Sequence, residues 1–209
     1  MAIRLMITPT EEDLTGKSKW WGSVDLPRDV AYPCYGDGGV DEQGTEDTLT
    51  FICQIRLEEV AKYDIGGLLP RRGMLYFFAN LDYFLGDDDA DCEGSGEWDR
   101  AAFKVLYAPD CSDLVTHRVV DCDGEDIARP AEAITFAECE ERDSGFKLLG
   151  RAFYNEYEEY TEHLSLLQLD EEERWGLRFF DMGMLNFLIL PEELKRGDFD
   201  ATMVYMHTM

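Results

Sequence analysis

One pair of phrases is written twice in this chain, and that limits the fold more than any other feature. LTFICQI (49–55) leads to GMLYFFANL (73–81), and LSLLQL (164–169) leads to GMLNFLIL (183–190). Gly73-Met74-Leu75-Tyr76-Phe77 and Gly183-Met184-Leu185-Asn186-Phe187 differ only at Tyr76 and Asn186. A single short match carries no weight. Further anchors follow in the same order, however. Gln54 answers Gln168, Gly86 answers Gly197, and Lys19-Trp20-Trp21-Gly22 answers Lys147-Leu148-Leu149-Gly150. Anchors that keep the same order indicate an internal repeat.

The physics of one unit is readable. LTFICQI is short, apolar and bounded by polar residues, which predicts a strand. GMLYFFA predicts another, opened by a glycine suited to a turn. Between them RLEEVAKYD spaces Leu57, Val60 and Ala61 as one face of a helix. In the second unit Pro191, the acids after it, the cations before Gly197 and that glycine itself are consistent helix signals. ATMVYMHTM predicts a closing strand that answers FKVLYA (103–108). The expected fold is therefore α+β, with largely antiparallel sheets and short helices. It is expected as one domain over 1–209, made of two similar units, about 17–110 and 145–209, joined by an acidic connector, 111–144. A pseudo-twofold axis would relate the units across a shared core. The composition, 45% hydrophobic in 209 residues, is enough for such a core.

Charge limits the partners. Nineteen basic residues face 45 acidic ones, a formal net charge of −26. Nucleic-acid affinity rests on cations that displace counterions, so direct nucleic-acid or anionic-membrane binding is not expected. Attraction to a basic protein partner is favoured at long range, with solubility alone as the plain alternative. No apolar run approaches the roughly 20 residues of a membrane span. The start MAIRLMITPTEEDLTG turns polar too early for a signal peptide, so a cytoplasmic protein is expected. The six cysteines, at 34, 53, 92, 111, 122 and 139, include no CxxC pair and are expected to be reduced thiols.

Chemical motifs are sparse. His117, His163 and His207 form no helical metal pattern, and no nucleophile elbow is present. Cys111-Ser112 near His117 lacks anything beyond proximity in sequence. The glycine-rich YGDGGVDEQG (35–44) has no phosphate-loop lysine and predicts a surface loop. Asp89, Asp91, Glu93 and Gly94 match the opening of a calcium loop, but its twelfth place is Arg100. DCDGED (121–126) is a second acid cluster, and a solvated turn is the better reading of both. No catalytic set, metal site or cofactor is predicted.

The phrases SKWWG, DLP, AYP, LTFICQIRLEEV, LLPRRGMLYFF and FKVLY resemble the YwqG-like family of bacterial proteins. In the second half FKLLG, LSLLQLD, Trp175-Gly176, GMLNFLI and DFD (198–200) resemble it too, so that the likeness runs from about Lys17 to Tyr205. The family pattern has a glycine pair where this chain has Trp21-Gly22. Here LRFF also separates Gly176 from Asp181. The resemblance implies a domain of unknown function with an internally repeated α+β architecture, and it brings no catalytic residues.

Two classes of function stay open. One is a non-catalytic acidic interaction protein, of immunity or antitoxin type, that masks a basic protein. Residues 82–99 hold eight acids and no base, and relative to the repeat they form an inserted surface loop. Asp87, Asp88 and Asp89 would steer the partner, with Trp98 as pin or contact. The other class is a small-ligand binder or enzyme with a cleft between the units. Its candidate residues are Gln54 and Gln168, for which a structural role satisfying backbone groups is the stronger reading. The sequence does not define an oligomeric state.

Overall fold

A computed structural model describes residues 1–36, 48–120, 126–154 and 160–208. The strands are β1 (Ala2–Pro9), β2 (Lys19–Trp20), β3 (Val24–Pro27), β4 (Thr50–Arg56), β5 (Met74–Ala79), β6 (Gly96–Glu97) and β7 (Phe103–Ala108). There follow β8 (Leu114–His117), β9 (Glu132–Cys139), β10 (Lys147–Leu148), β11 (Leu164–Leu169), β12 (Met184–Ile189) and β13 (Met203–His207). Eleven of these form one curled sheet in the order β6-β13-β12-β11-β10-β1-β9-β2-β4-β5-β7, every neighbouring pair antiparallel. Strands β3 and β8 form a separate antiparallel pair.

This architecture overturns the expected α+β fold of two pseudo-twofold units. The protein is mainly β. Its helices among the described residues are α1 (Leu57–Val60), α2 (Pro191–Arg196) and a few 3-10 turns. RLEEVAKYD forms a single turn because no side chain caps its start and Asp64 turns the chain at once, its carboxylate accepting from the Leu68 and Leu69 N–H groups. PEELKRG does form α2, closed by Gly197 at φ +71°. The stretch expected as a connector supplies β8 and β9, and β9 lies mid-sheet. Strand β1 pairs along its whole length with β9 and also with β10, while β9 also pairs with β2. Each half of the chain thus lends a strand to the other.

Within that frame one local arrangement occurs twice. Lys19 stands opposite Gln54 in the β2/β4 pair, and Lys147 opposite Gln168 in the β10/β11 pair. Strand β4 is irregular between Phe51 and Cys53, and β11 between Ser165 and Leu167. The Trp21 N–H donates to Ile52 O at 2.9 Å, and the Leu149 N–H to Leu166 O at 3.3 Å. At the next position Gly22 (φ +78°) lies against Ala131, and Gly150 (φ +89°) against Ala2. A Cβ at either glycine would meet the incoming end of the crossing strand.

The core explains why GMLYFFA has no charged residue. Leu75, Phe77 and Ala79 of β5 enter the main core inside the curled sheet. Met74, Tyr76 and Phe78 point the other way, into a second cluster with Val24 and Leu26 of β3. The β3–β8 pair is the lid on that second cluster, and the buried Tyr76 hydroxyl donates to Asp25 O at 2.8 Å.

The acidic run after Gly86 divides into two parts. Residues 87–93 are largely exposed. Residues 96–102 join the two edges of the sheet: β6 pairs with β13, and β7 begins a few residues later beside β5. The Trp98 N–H donates to Val204 O at 2.9 Å, Lys104 meets Asp200 at 2.7 Å, and Arg100 donates to Thr202 O and Asp200 O. No described helix is long and apolar enough to cross a membrane.

Candidate functional site

The Trp21-Gly22 turn that docks β9 also opens a cleft. Its volume is about 320 Å³. It lies where the β3–β8 layer meets the start of β4. The wall combines the turn after β2, Tyr32, residues 48–51, the segment after β5, the end of β8 and residues 127–129. Val24, Leu49 and Phe51 give it an apolar floor. Asp82 and Asp87 are exposed at its rim. The Thr50 hydroxyl donates to Asp82 Oδ1 at 2.6 Å, and the Tyr32 hydroxyl to Leu49 O at 3.0 Å.

Arg129 is the cation of this wall. It is half-buried, its guanidinium carbon lies 5.8 Å from the Trp21 ring centre, and Nη1 donates to Trp175 O at 3.0 Å. Burial pulls its pKa below the usual arginine value, and the field of Asp82 acts against that shift. It forms no ion pair among the described residues. Among the described residues Trp21 Nε1 and His117 Nε2 are buried without a hydrogen-bond partner, as are atoms of Trp20, His163, Asn186 and Thr202 away from this wall.

Behind the cleft the tryptophans are locked. Trp20 stacks on Trp175 with centres 5.6 Å apart, and Trp21 meets Trp175 edge-on at 5.5 Å. Trp175 Nε1 donates to Glu132 at 2.6 Å, and Glu132 is ion-paired with Arg174 at 2.9 Å. The wall is therefore built on a rigid aromatic stack.

Of the four partner-contact candidates, Asp87, Asp88, Asp89 and Trp98, only Asp87 lines this cleft. Asp88 and Asp89 are exposed beside it. The acids of this run largely serve the loop: Asp87 Oδ1 accepts from the Asp89 N–H, Glu93 from Asn80, and Asp99 from the Ala101 N–H. Trp98 is buried, 3% exposed, and stacks on Phe84 at 5.6 Å, so it offers a partner no open ring.

Gln54 and Gln168 are fully buried away from the cleft wall. Gln54 accepts from the Asp25 N–H at 3.0 Å and donates to Lys17 O at 2.8 Å. Gln168 accepts from the Phe153 N–H at 2.9 Å and donates to Gly145 O at 2.9 Å. Cys111 packs on the second cluster, where burial pushes its thiol pKa up, while His117 lines the cleft. Among the described residues no three His, Cys, Asp or Glu side chains are grouped to hold a metal ion. Most of YGDGGVDEQG and all but the last residue of DCDGED lie outside the described residues.

The residues that build the cleft escaped the sequence reading because they come from six separated segments and form no motif. The sequence signal nearest to it was Trp21-Gly22, an anchor of the repeated phrases. No curated protein is similar enough to match this chain. A family described as "Domain of unknown function (DUF1963)" matches residues 18–147 and 135–207, and the chain belongs to that family.

Proposed function

We propose that this protein is a YwqG-like member of its family that binds a small ligand in the cleft beside Trp21. One observation carries the reading: a concave site of about 320 Å³ holds a half-buried guanidinium that no carboxylate of the described residues pairs with. Ligand sites of this size combine an apolar floor with a few convergent polar groups, as here. Cys53, Cys92, Cys111 and Cys139 are free thiols, which supports placing the protein in a reducing compartment such as the cytoplasm.

The test is a thermal-shift screen of the full chain against a broad panel of small metabolites, run beside Ala128→Trp, which fills the cleft from its wall. Compounds that stabilise the wild type and leave Ala128→Trp unshifted are expected. A panel that moves neither protein, or both equally, would count against the reading.

A second reading is favoured by the charge of −26 and by exposed Asp87, Asp88 and Asp89. In it the protein is an acidic interaction protein, of immunity or antitoxin type, and these three carboxylates speed capture of a basic partner. Changing all three to Asn would slow association at low salt and leave it unchanged at high salt. An equal rate at low salt would remove them from the role.

A further inference from the structure

We infer that the ligand of the Trp21 cleft is a small ammonium carboxylate, of the free amino acid or short peptide class. The inference rests on the binding reading above and narrows it. Arg129 and Asp82 line the same cleft and do not pair with each other. A protein that only needed to neutralise a half-buried guanidinium would close that pair. Left apart, the two charges match a molecule that carries one of each sign.

The charge balance excludes simpler ligands. A plain carboxylate would meet Arg129, but it would enter a cleft whose rim carries Asp82 and Asp87, in the field of a chain with net charge −26. A plain cation would suit the rim, yet it would face the guanidinium within. An ammonium carboxylate has no net charge to repel. Its carboxylate can take the planar fork of Arg129, the geometry that guanidinium groups favour. Its ammonium can meet Asp82, whose Oδ1 already accepts from the Thr50 hydroxyl and so is fixed in place. The apolar floor at Leu49 and Phe51 leaves room for an apolar side chain.

Isothermal titration of the full chain with the twenty L-amino acids and a set of L-dipeptides tests this. The strongest binder is then offered in N-acetylated and C-amidated form. Each cap is expected to weaken binding at least about tenfold, the loss of one charged contact. Asp82→Asn is expected to bind the free and N-acetylated forms alike, and Arg129→Gln the free and amidated forms alike. A residue that merely held the wall would lower all three forms together. The unliganded melting temperature of each variant is read alongside. If Arg129→Gln does not fold, Asp82→Asn, at an exposed position, still completes its own comparison. Capped forms that bind as well as free ones would overturn the inference. So would amino acids and dipeptides that fail to bind while another class shifts the wild type but not Ala128→Trp, an outcome that leaves the binding reading standing.

Discussion

Lys19 and Lys147 hold matching places, but their charges are met differently. Lys19 Nζ lies 2.7 Å from Asp25 Oδ2, and Asp25, fully buried, also accepts from Gly16 N–H, Gln54 Nε2 and Thr116 Oγ1. Burial raises the Asp25 pKa, but Lys19 and these donors outweigh it and hold it below the usual carboxylate range. Lys147 is paired with no carboxylate of the described residues. It donates to Glu141 O and Asp143 O, and burial lowers its pKa to about 8. Both carbonyls have a second donor, Arg151 N–H and Gln168 Nε2 respectively. Lys19→Met should therefore cost about 3–5 kcal/mol by stranding a buried anion, and Lys147→Met within about 1 kcal/mol. Denaturant titration of the two variants checks the contrast, and equal losses would refute it. The pH dependence has a definite sign. Between about pH 8 and the ordinary lysine value of 10.5, the unfolded chain keeps a proton that folded Lys147 has released. Stability from this group thus rises with pH across that window. The wild type should gain on Lys147→Met from pH 8 to 10.5, and a constant difference would contradict the assignment. Sequence marked both lysines as anchors of a repeated phrase. It did not show which one has a counter-ion, because that depends on Asp25 standing at the Gln54 bond where Phe153 stands at the Gln168 bond.

At the scale of elements, the segment 96–102 matters more than its composition suggests. It pairs with the β13 edge through β6 and leads into β7 at the other end of the sheet, so it covers part of an exposed ladder that would otherwise invite pairing with other chains. Trp98 anchors it, with its ring on Phe84, its N–H on Val204 O and Nε1 on Gly94 O at 2.9 Å. Trp98→Ala should cost about 3–5 kcal/mol, the range for emptying a buried aromatic site. A chemical denaturation midpoint close to wild type would show that the segment is only a surface loop. The strands of the repeated phrases were legible, since LTFICQI, GMLYFFA, LSLLQL and GMLNFLI are apolar runs of strand length. Helix α2 was legible from Pro191 and Gly197. The helix over RLEEVAKYD was overcalled because three apolar positions define a face but not a length. The central placement of β1 and β9 was hidden. Neither carries an anchor of the repeat, and pairing between strands more than a hundred residues apart leaves no local trace.

At the scale of the whole molecule, the crossing of β1 and β9 makes one body of two halves, and the curl of the sheet sets a second layer against its rim. The cleft forms at that seam, so its wall is a product of tertiary structure. This is why Arg129, His117 and Asp82 could not be assembled from spacing, whereas Asp87 was found only through its neighbours in an acidic run. The central claim is that the Trp21 wall is where this protein meets its ligand. The most direct measurement follows the indole N–H signals of the four tryptophans in a proton–nitrogen correlation spectrum, titrated with the strongest binder from the metabolite panel. The account predicts that the Trp21 signal moves with ligand, that the Trp98 signal stays, and that Arg129→Gln abolishes the movement. A Trp21 signal unmoved at saturation, with shifts confined to Trp98 or to the backbone of Asp87, Asp88 and Asp89, would contradict it.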